Sequence, residues 1–570
     1  MAYFSLHAYD ADVWVQEFRG LNQADIEMNP DPRFAAEAEN VETIHGVLQP
    51  QAANDILDGP SVMVEVEPGE YENQCPRIET LAVMHRRWYE GEGSKNWYIC
   101  CAGGKLYEKQ AGSTEGWAEI DLPVGVDAYQ CSAWSWVTYE TQVDTDNDSN
   151  PDTTVDVLLM SNAKDGMIMV IPPETMTTWH TVSTTYTWET AKELNWAKRA
   201  NNDPPGLLTK KWSIEPVDTR TNPEDPDEPQ KKFGVIERFA ERIFGTARDG
   251  EPDTLYYSKA YYADDWTPNY DIPEESAGEI PQPSWDGDSF HALKRFGDQL
   301  LAFKKNKIWR IMGTNPGEYS FAEQYGHGTE YFNTICVEGE RVYMADRNGV
   351  AVYDGMNTTP FGKDQIEQIW RTVNINALDQ MCAALFDKRY YLAFPTGQST
   401  VNNAMLVFDL NEGDILFYPD MMIEAFLPTD EVLFATSSEV PGKIIQINYD
   451  SWKHGTASGV PTKWVSPWMD FGYKRIQKGG FDFYFLPEVK DEAVTFTISI
   501  QTEKKKKTKL YTCKPLTEEQ LAVPKEHRMK KLHFSGTGRK FRIIIEVTEG
   551  NINPWRIIGG LQLVVETDPD

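Results

Sequence analysis

Cysteine is scarce in this sequence. Seven residues (Cys75, Cys100, Cys101, Cys131, Cys336, Cys382, Cys513) are scattered through 570 positions. An odd, dispersed set excludes a disulfide framework and reads as buried free thiols made in a reducing compartment. Cys100 and Cys101 are adjacent, so on a strand they face opposite sides and do not chelate one metal. Positive charge is also short: 54 Lys and Arg stand against 88 Asp and Glu, a net charge of −34. Such a surface repels nucleic acid, which argues against a protein whose task is to grip DNA. Long apolar runs are missing. No stretch of about 18 apolar residues exists, so no helix of the sequence spans a membrane. The opening Met1–Asp12 lacks the basic start and apolar centre of a secretory signal. Catalytic signatures are missing too: there is no Gly-x-Ser-x-Gly elbow, no Walker loop and no Gly-x-Gly-x-x-Gly. The Ser-x-Asp-x-Gly-x-Thr-Trp boxes of propeller sialidases are absent. The nine histidines include no pair at metal-ligand spacing on one element, and His327, between Gly326 and Gly328, reads as a turn residue. Enzyme activity is not expected.

What the sequence has is a returning pattern: an apolar strand, a Gly/Asn turn and a second apolar strand. It occurs at Trp97–Tyr107, at Leu300–Arg310 and at Val342–Tyr353. In the last, Asn348-Gly349 are expected to supply the positive φ angles of a tight hairpin turn. Looser copies lie at Val155–Val170, at Leu385–Phe394 with Ala404–Leu410, and at Leu433–Ile447. The period of roughly 40–60 residues is that of propeller blades. A hairpin cannot bury both faces alone and must stack on its neighbours. The expectation is an all-β chain, a β-propeller of six to eight blades, with Trp97, Trp309 and Tyr353 packed in or between blades.

Residues 1–60 are strand-poor in pattern and are expected to form an N-terminal arm with the first strands, or a first blade closing against the last. The propeller is expected over 61–460, with surface-loop insertions near 141–153 and 187–232. The second insertion opens with a short helix (Trp188 to Arg199) and ends in Pro223-Glu-Asp-Pro-Asp-Glu-Pro229, too rich in proline and charge for a packed core. Both the arm and this insertion are expected to be flexible in an isolated subunit. Beyond Trp464–Gly472 the strands lengthen: Phe481–Leu486, Val494–Ile500, Met529–Phe534, Phe541–Val547 and Trp555–Val565. Alternation in Val494-Thr-Phe-Thr-Ile-Ser-Ile500 marks a half-buried antiparallel strand. Residues 461–570 are expected to form a C-terminal β-sandwich.

Asp144, Asp146, Asp148 and Asp152 place carboxylates at calcium-loop spacing. Ser149 and Val155 stand where an EF-hand needs glycine and glutamate, so the run reads first as a solvated hairpin tip. Calcium is the one candidate cofactor. The lysine run Lys504–Lys507 with Lys509 is the only cationic cluster. It reads as a solvated tip that blunts a strand edge, or as a contact to an acidic neighbour. The eighteen tryptophans, including Trp134 and Trp136, are read as packing between blades, with sugar binding as the other use.

Several collinear stretches carry a resemblance: Phe18-Arg-Gly-Leu-Asn-Gln23, Ala38–Val41, Gly46–Pro50, Asp253–Ser258 leading to Asp265-Trp266, Leu293–Gly313 and Asn348–Gly355. Over about residues 15–450 the chain resembles bacteriophage tail propeller proteins, the tail nozzle or packaged-DNA stabilisation proteins of short-tailed phages. The resemblance implies a structural virion protein, assembled in the host cytoplasm as a homo-oligomeric ring around the DNA channel. It implies other tail or neck proteins as partners, and DNA that passes without specific binding. The acidity is independently consistent with a tube that must release DNA. The alternative expectation is a carbohydrate-binding or glycan-cleaving propeller acting on host surface polysaccharide. Carboxylates and aromatics gathered in a concave mouth would favour sugar, and flat apolar patches would favour assembly.

Overall fold

The computed structural model describes residues 10–15, 17–24, 31–60, 62–67, 70–74, 77–86, 95–131, 133–143, 153–172, 178–180, 185–187, 212–223, 225, 227–247, 251–269, 271–282, 287–325, 327–470, 477–558 and 561–568. The fold is all-β. Among the described residues the α-helices are single turns, such as Glu367–Trp370 and Ser451–His454. Seven four-stranded antiparallel sheets follow one another over 78–119, 135–216, 233–281, 292–325, 336–361, 382–419 and 423–447. The first six are built from strands local in sequence. The seventh has three local strands, and its fourth, Asp55–Asp58, comes from the N-terminal region and pairs antiparallel with Lys443–Ile447.

Tight turns set the registers. Gly103 and Gly104, both at positive φ, join Lys95–Ala102 to Lys105–Gln110 in a two-residue turn that needs φ > 0 twice. The expected Asn348-Gly349 turn is shifted by one residue. Asp346 pairs with Gly349, so the turn residues are Arg347 and Asn348. The Asp346 carboxylate accepts from the Asn348 amide at 2.6 Å, and Gly349 takes φ +130° as the first residue of the next strand. A side chain that caps the turn replaces the second positive φ.

Each sheet packs its faces on its neighbours. Leu106 and Met84 of the first meet Leu158 and Val170 of the second. Val157 and Met169 of the second meet Ile236 and Tyr256 of the third. Phe244 meets Leu300 between third and fourth, and Phe303 meets Tyr353 between fourth and fifth. Tyr343 stacks near Tyr390 between fifth and sixth, and Leu416 meets Leu433 between sixth and seventh. Leu427 and Ile444 of the seventh then pack on Leu81 and Cys100 of the first. The order of packing is therefore cyclic. Cys100 and Cys101 face different clusters, one toward the seventh sheet and one toward the second. Trp97 lies at the margin of the first cluster, Trp309 at that between third and fourth, and Tyr353 is buried between fourth and fifth.

The chain beyond the seventh sheet builds two further sheets that face one another. One has the order Asp10–Val15, Leu561–Asp568, Gln477–Phe485, Lys530–Gly538. The other has the order Glu37–Glu39, Thr462–Val465, Phe541–Val547, Val494–Thr502, Lys506–Cys513. Phe481, Phe483, Leu563 and Val565 of the first fill a common core with Phe496, Ile498, Phe541 and Ile543 of the second. The hydroxyls on the outer face of Val494–Thr502 form cross-strand pairs, Thr495 with Thr512 and Ser499 with Thr508, each at 2.9 Å. The expected strand over Trp555–Val565 is two strands in different sheets. Trp555–Ile557 joins a third sheet with Val41–Ile44, Val47–Pro50 and Pro487–Val489.

Residues 10–58 differ from the strand-poor arm expected of them. They hold five strands, and none of the five completes a sheet from local sequence alone. Short strands of three to six residues carry too little alternation to show as a pattern, because distant partners supply their ladders. The helix expected over 188–199 lies outside the described residues. Of the described remainder of that insertion, Ser213–Pro216 is a strand of the second sheet, and 218–223, 225 and 227–230 form a hydrogen-bonded turn.

Trp464 is almost fully buried on Thr462–Val465 and meets Phe18 edge to face at 5.2 Å. Trp464→Ala should cost about 3–5 kcal/mol of stability. Urea unfolding tests this: the midpoint should fall with an unchanged slope. An unaltered midpoint would remove Trp464 from the core.

Candidate functional site

The residues singled out near the N-terminus form a docking strap. In Phe18–Gln23 nearly every residue is engaged. Phe18 packs on Trp464. Arg19 Nε donates to Asp414 at 2.6 Å. Gly20 runs so close to the sixth sheet that an added Cβ would lie 2.5 Å from the Ile415 carbonyl oxygen. The Leu21 amide donates to that same oxygen at 2.7 Å. Gln23 Oε1 accepts from the Gln368 amide at 2.9 Å, at the start of the helical turn Glu367–Trp370. Asp414 is buried and also accepts from the Thr43 hydroxyl at 2.7 Å. Burial pushes its carboxyl above the ordinary value, and Arg19 pulls against that shift.

Glu42 is the second anchor. It is fully buried, and all of its hydrogen-bond partners are N–H donors. Oε1 accepts from the Ala52 amide at 3.0 Å. Oε2 accepts from Gln49 Nε2 and the Asp450 amide, both at 3.0 Å. One carboxylate thus ties the strand Val41–Ile44 to the chain leaving the seventh sheet. Burial pushes its pKa up to about 7, although the donors favour the charged form.

Two buried cations tie segments together, Arg242 within the third sheet and Lys304 between the third and fourth. Arg242 donates to the carbonyls of Ser258 (3.1 Å), Glu275 (3.0 Å) and Ser276 (3.0 Å), which fixes the loop around 272–276. Lys304 donates to Asp253 and to the Gln282 carbonyl, each at 3.1 Å, and lies 4.5 Å over the Phe290 ring. Lys304 and Asp253 fall in two of the stretches that carry the resemblance. These contacts explain them as joints between the third and fourth sheets.

Three clefts are lined by described residues. One of about 630 Å³ gathers segments of five sheets, including Asn162, His291, Glu330, Tyr331, Phe332 and Asp379. Its Glu330 carboxylate is held by Lys305 at 3.1 Å and Arg347 at 3.6 Å. A second, of about 870 Å³, opens between the sixth and seventh sheets. There Arg389 lies 3.7 Å over the Tyr449 ring and pairs with Asp387 at 2.7 Å and Asp409 at 3.1 Å. A third, of about 420 Å³, sits at one end of the C-terminal sheets and includes Lys504, Lys505 and Lys507 of the lysine run. Lys506, Lys507 and Lys509 lie on the edge strand Lys506–Cys513, with Lys504 and Lys505 in the turn before it.

The calcium candidates Asp144, Asp146, Asp148 and Asp152 lie outside the described residues. Among the described residues no group of three His, Cys, Asp or Glu side chains is placed to hold a metal. No helix among them is long and apolar enough to cross a membrane. His327 lies outside the strands and helical turns, 4.0 Å from Asp346. Trp134 packs edge to face on Tyr129 at 5.1 Å, with Trp136 at the margin of the same cluster. Sequence reasoning did not single out Glu42, Asp414 or Arg242. Each is one charged residue among many, and its signal is burial.

No family model matches the chain, and no curated protein matches it. Among solved structures, it is similar to the extracellular domain of BT4673 from B. thetaiotaomicron, assigned to a hybrid two component system. The identity is 10% and the TM-score 0.31, over 91% of this chain. This chain spans 58% of that chain's length.

Glu42 gives a pH prediction. Its native pKa of about 7 exceeds the ordinary 4.5, so the native state keeps a proton that the unfolded chain has released. This contribution is fully present below pH 4.5 and is lost as pH rises through about 7, a fall of about 3 kcal/mol. Glu42→Gln should flatten that part of the stability profile. Urea midpoints from pH 4.5 to 8 decide it, and parallel profiles for the two proteins would contradict the assignment. For the aspartate run, calorimetry should find no micromolar calcium affinity. Such an affinity, lost in Asp146→Ala, would establish the site.

Proposed function

We propose that the protein is a structural subunit of a tailed-bacteriophage virion. In this reading the seven cyclically packed sheets are the blades of a β-propeller over about 61–460, closed by the strand Asp55–Asp58. The facing sheets at the C-terminal end are a β-sandwich. Copies assemble as a homo-oligomeric ring around the DNA channel, beside other tail or neck proteins, and DNA passes through without specific binding.

The observation that carries the reading is the sharing of residues 10–58 between the seventh sheet and the C-terminal sheets, with buried anchors at Asp414 and Glu42. A strap hydrogen-bonded into both parts makes them one stiff body. Stiffness is what a load-bearing subunit requires, whereas a closing active site needs a hinge. Exposed apolar side chains on outer strands add support: Ile56 (60% exposed) and Leu57 (40%) on Asp55–Asp58, and Leu510 (69%) on the edge strand Lys506–Cys513. A neighbour in an assembly would cover them.

A second reading rests on the 630 Å³ cleft, where Tyr331 and Phe332 adjoin Glu330 and Asp379. Aromatic and carboxylate side chains in a concave site are the elements of sugar recognition. It ranks second because Glu330 is neutralised by two cations, which suits binding better than acid–base work.

Negative-stain microscopy of the purified protein, and of any particle it copurifies with, tests the first reading. Closed cyclic assemblies are the expected result. Incubation with host capsule or cell-wall polysaccharide should leave the chains at full length. Reproducible shortening, abolished by one Asp or Glu substitution, would transfer the assignment to the second reading.

A further inference from the structure

Charge is not spread evenly along the chain. Residues 477–568 carry sixteen lysines and arginines against twelve carboxylates, in a protein whose net charge is −34. This C-terminal segment is therefore locally basic in an acidic molecule, although the strands Asp10–Val15 and Glu37–Glu39 that complete its sheets add four carboxylates. Their cleft of about 420 Å³ lies between the turn after Val494–Thr502 and the strand Lys530–Gly538. Lys504, Lys505 and Lys507 stand at its rim, with Thr502, Ser535 and Thr537. Lys506 reaches Glu546 at 3.4 Å, whereas among the described residues the three rim lysines form no ion pair. The turn's own carboxylate, Glu503, accepts from the amides of Arg539 (3.0 Å) and Lys540 (3.1 Å). That fixes the turn and leaves three uncompensated cations on a stiff frame.

An acidic counterpart held by its own hydrogen bonds occurs at 218–223, 225 and 227–230. Gln230 Oε1 accepts from the Thr219 amide at 2.8 Å, and Gln230 Nε2 donates to Asp218 at 2.8 Å. Glu228 accepts from the Thr221 amide at 2.9 Å and the Asn222 amide at 2.6 Å. Arg220 is taken up by Asp218 at 2.6 Å. Between these staples Asp225 and Asp227 are exposed, and among the described residues neither carboxylate forms an ion pair; the Asp225 carboxylate accepts from the Asp227 amide at 3.0 Å. A surface turn held this tightly loses little entropy when it docks.

The two features belong to different parts of the subunit. The acidic turn follows Ser213–Pro216, the outer strand of the second sheet. The C-terminal sheets attach through the strap to Ile415–Pro419, the outer strand of the sixth. In a cycle of seven, the second sheet is three steps from the sixth and two from the seventh, to which the strap also binds. Complementary surfaces on different parts of a subunit make a head-to-tail contact between copies.

We propose that the acidic turn around Asp225 and Asp227 of one subunit seats in the lysine cleft of a second copy. The proposal rests on the reading of the protein as an assembling subunit. The test uses three full-length proteins: wild type, Lys504→Glu/Lys505→Glu/Lys507→Glu, and Asp225→Lys/Asp227→Lys. Circular dichroism checks that each is folded, and sedimentation at low and high salt reads association. Wild type should associate at low salt and dissociate as the charges are screened. Each reversed protein should associate at least about tenfold more weakly. An equimolar mixture of the two should recover the loss, since each cleft then faces a turn of opposite sign. Reversed proteins that associate as wild type does, or a mixture that fails to recover, overturn the contact and leave the assembly reading standing. Wild type that never associates overturns both. Heparin or duplex DNA bound by wild type and lost in the lysine variant, with self-association unchanged, assigns the cleft to a polyanion and also overturns the contact.

Discussion

A β-sheet that ends on an unpaired strand leaves a row of unsatisfied backbone groups, and the use of residues 10–58 follows from that constraint. The seventh sheet has three local strands where the other six have four, so its outer edge stays open until Asp55–Asp58 is laid against Lys443–Ile447. The C-terminal sheets have the same need. Asp10–Val15 pairs with Leu561–Asp568, and Glu37–Glu39 pairs with Thr462–Val465. One segment of fewer than fifty residues thus completes sheets formed more than 370 positions later. Closing such long loops costs little more entropy than closing shorter ones, because the cost grows only with the logarithm of length. The burden falls on folding order, since neither the cycle of sheets nor the C-terminal sheets are complete until both ends of the chain are present.

Buried charge decides where the strap lands. A hydrophobic strap could slip along a strand edge by two residues and keep its faces. Asp414 accepting from Arg19 and Thr43, and Glu42 accepting from Gln49, Ala52 and Asp450, have no equivalent partners in a shifted register. A wrong register would leave a carboxylate desolvated and unpaired, at a cost of several kcal/mol. These groups add modestly to stability and strongly to specificity. Gly20 works alongside them sterically, by admitting the strap to within contact of Ile415.

Class and repeat were legible in the sequence because they rest on local chemistry. The hairpin at Gly103-Gly104 shows in two glycines, and Val494–Thr502 shows in its alternation. Equally tight turns at Ala240-Glu241 and Asp387-Lys388 hold both residues at positive φ with no glycine to announce them. There the flanking ladders impose a conformation that local propensity disfavours. The N-terminal strands were illegible for a related reason: three or four residues have no period of their own. Phe18–Gln23 stood out as a motif, yet its partner is a strand end some 390 residues away. Glu42 was one carboxylate among 88, and nothing but its burial separates it from the rest.

The same strap connects architecture to charge. Joining an acidic cycle of sheets to a basic C-terminal unit on a flexible linker would let the two collapse on each other, since opposite charges within a Debye length attract. Docked through Asp414 beside the outer strand of the sixth sheet and through Glu42 on the chain leaving the seventh, the lysine-bearing unit is held against those two sheets. The dipole of the molecule then has a fixed direction relative to its backbone. A fixed dipole orients an approaching copy before contact, whereas a floppy one averages its field away. The buried hydrogen bonds of the strap thus do more than hold two parts together: they preserve an asymmetry of charge that free domains would neutralise internally.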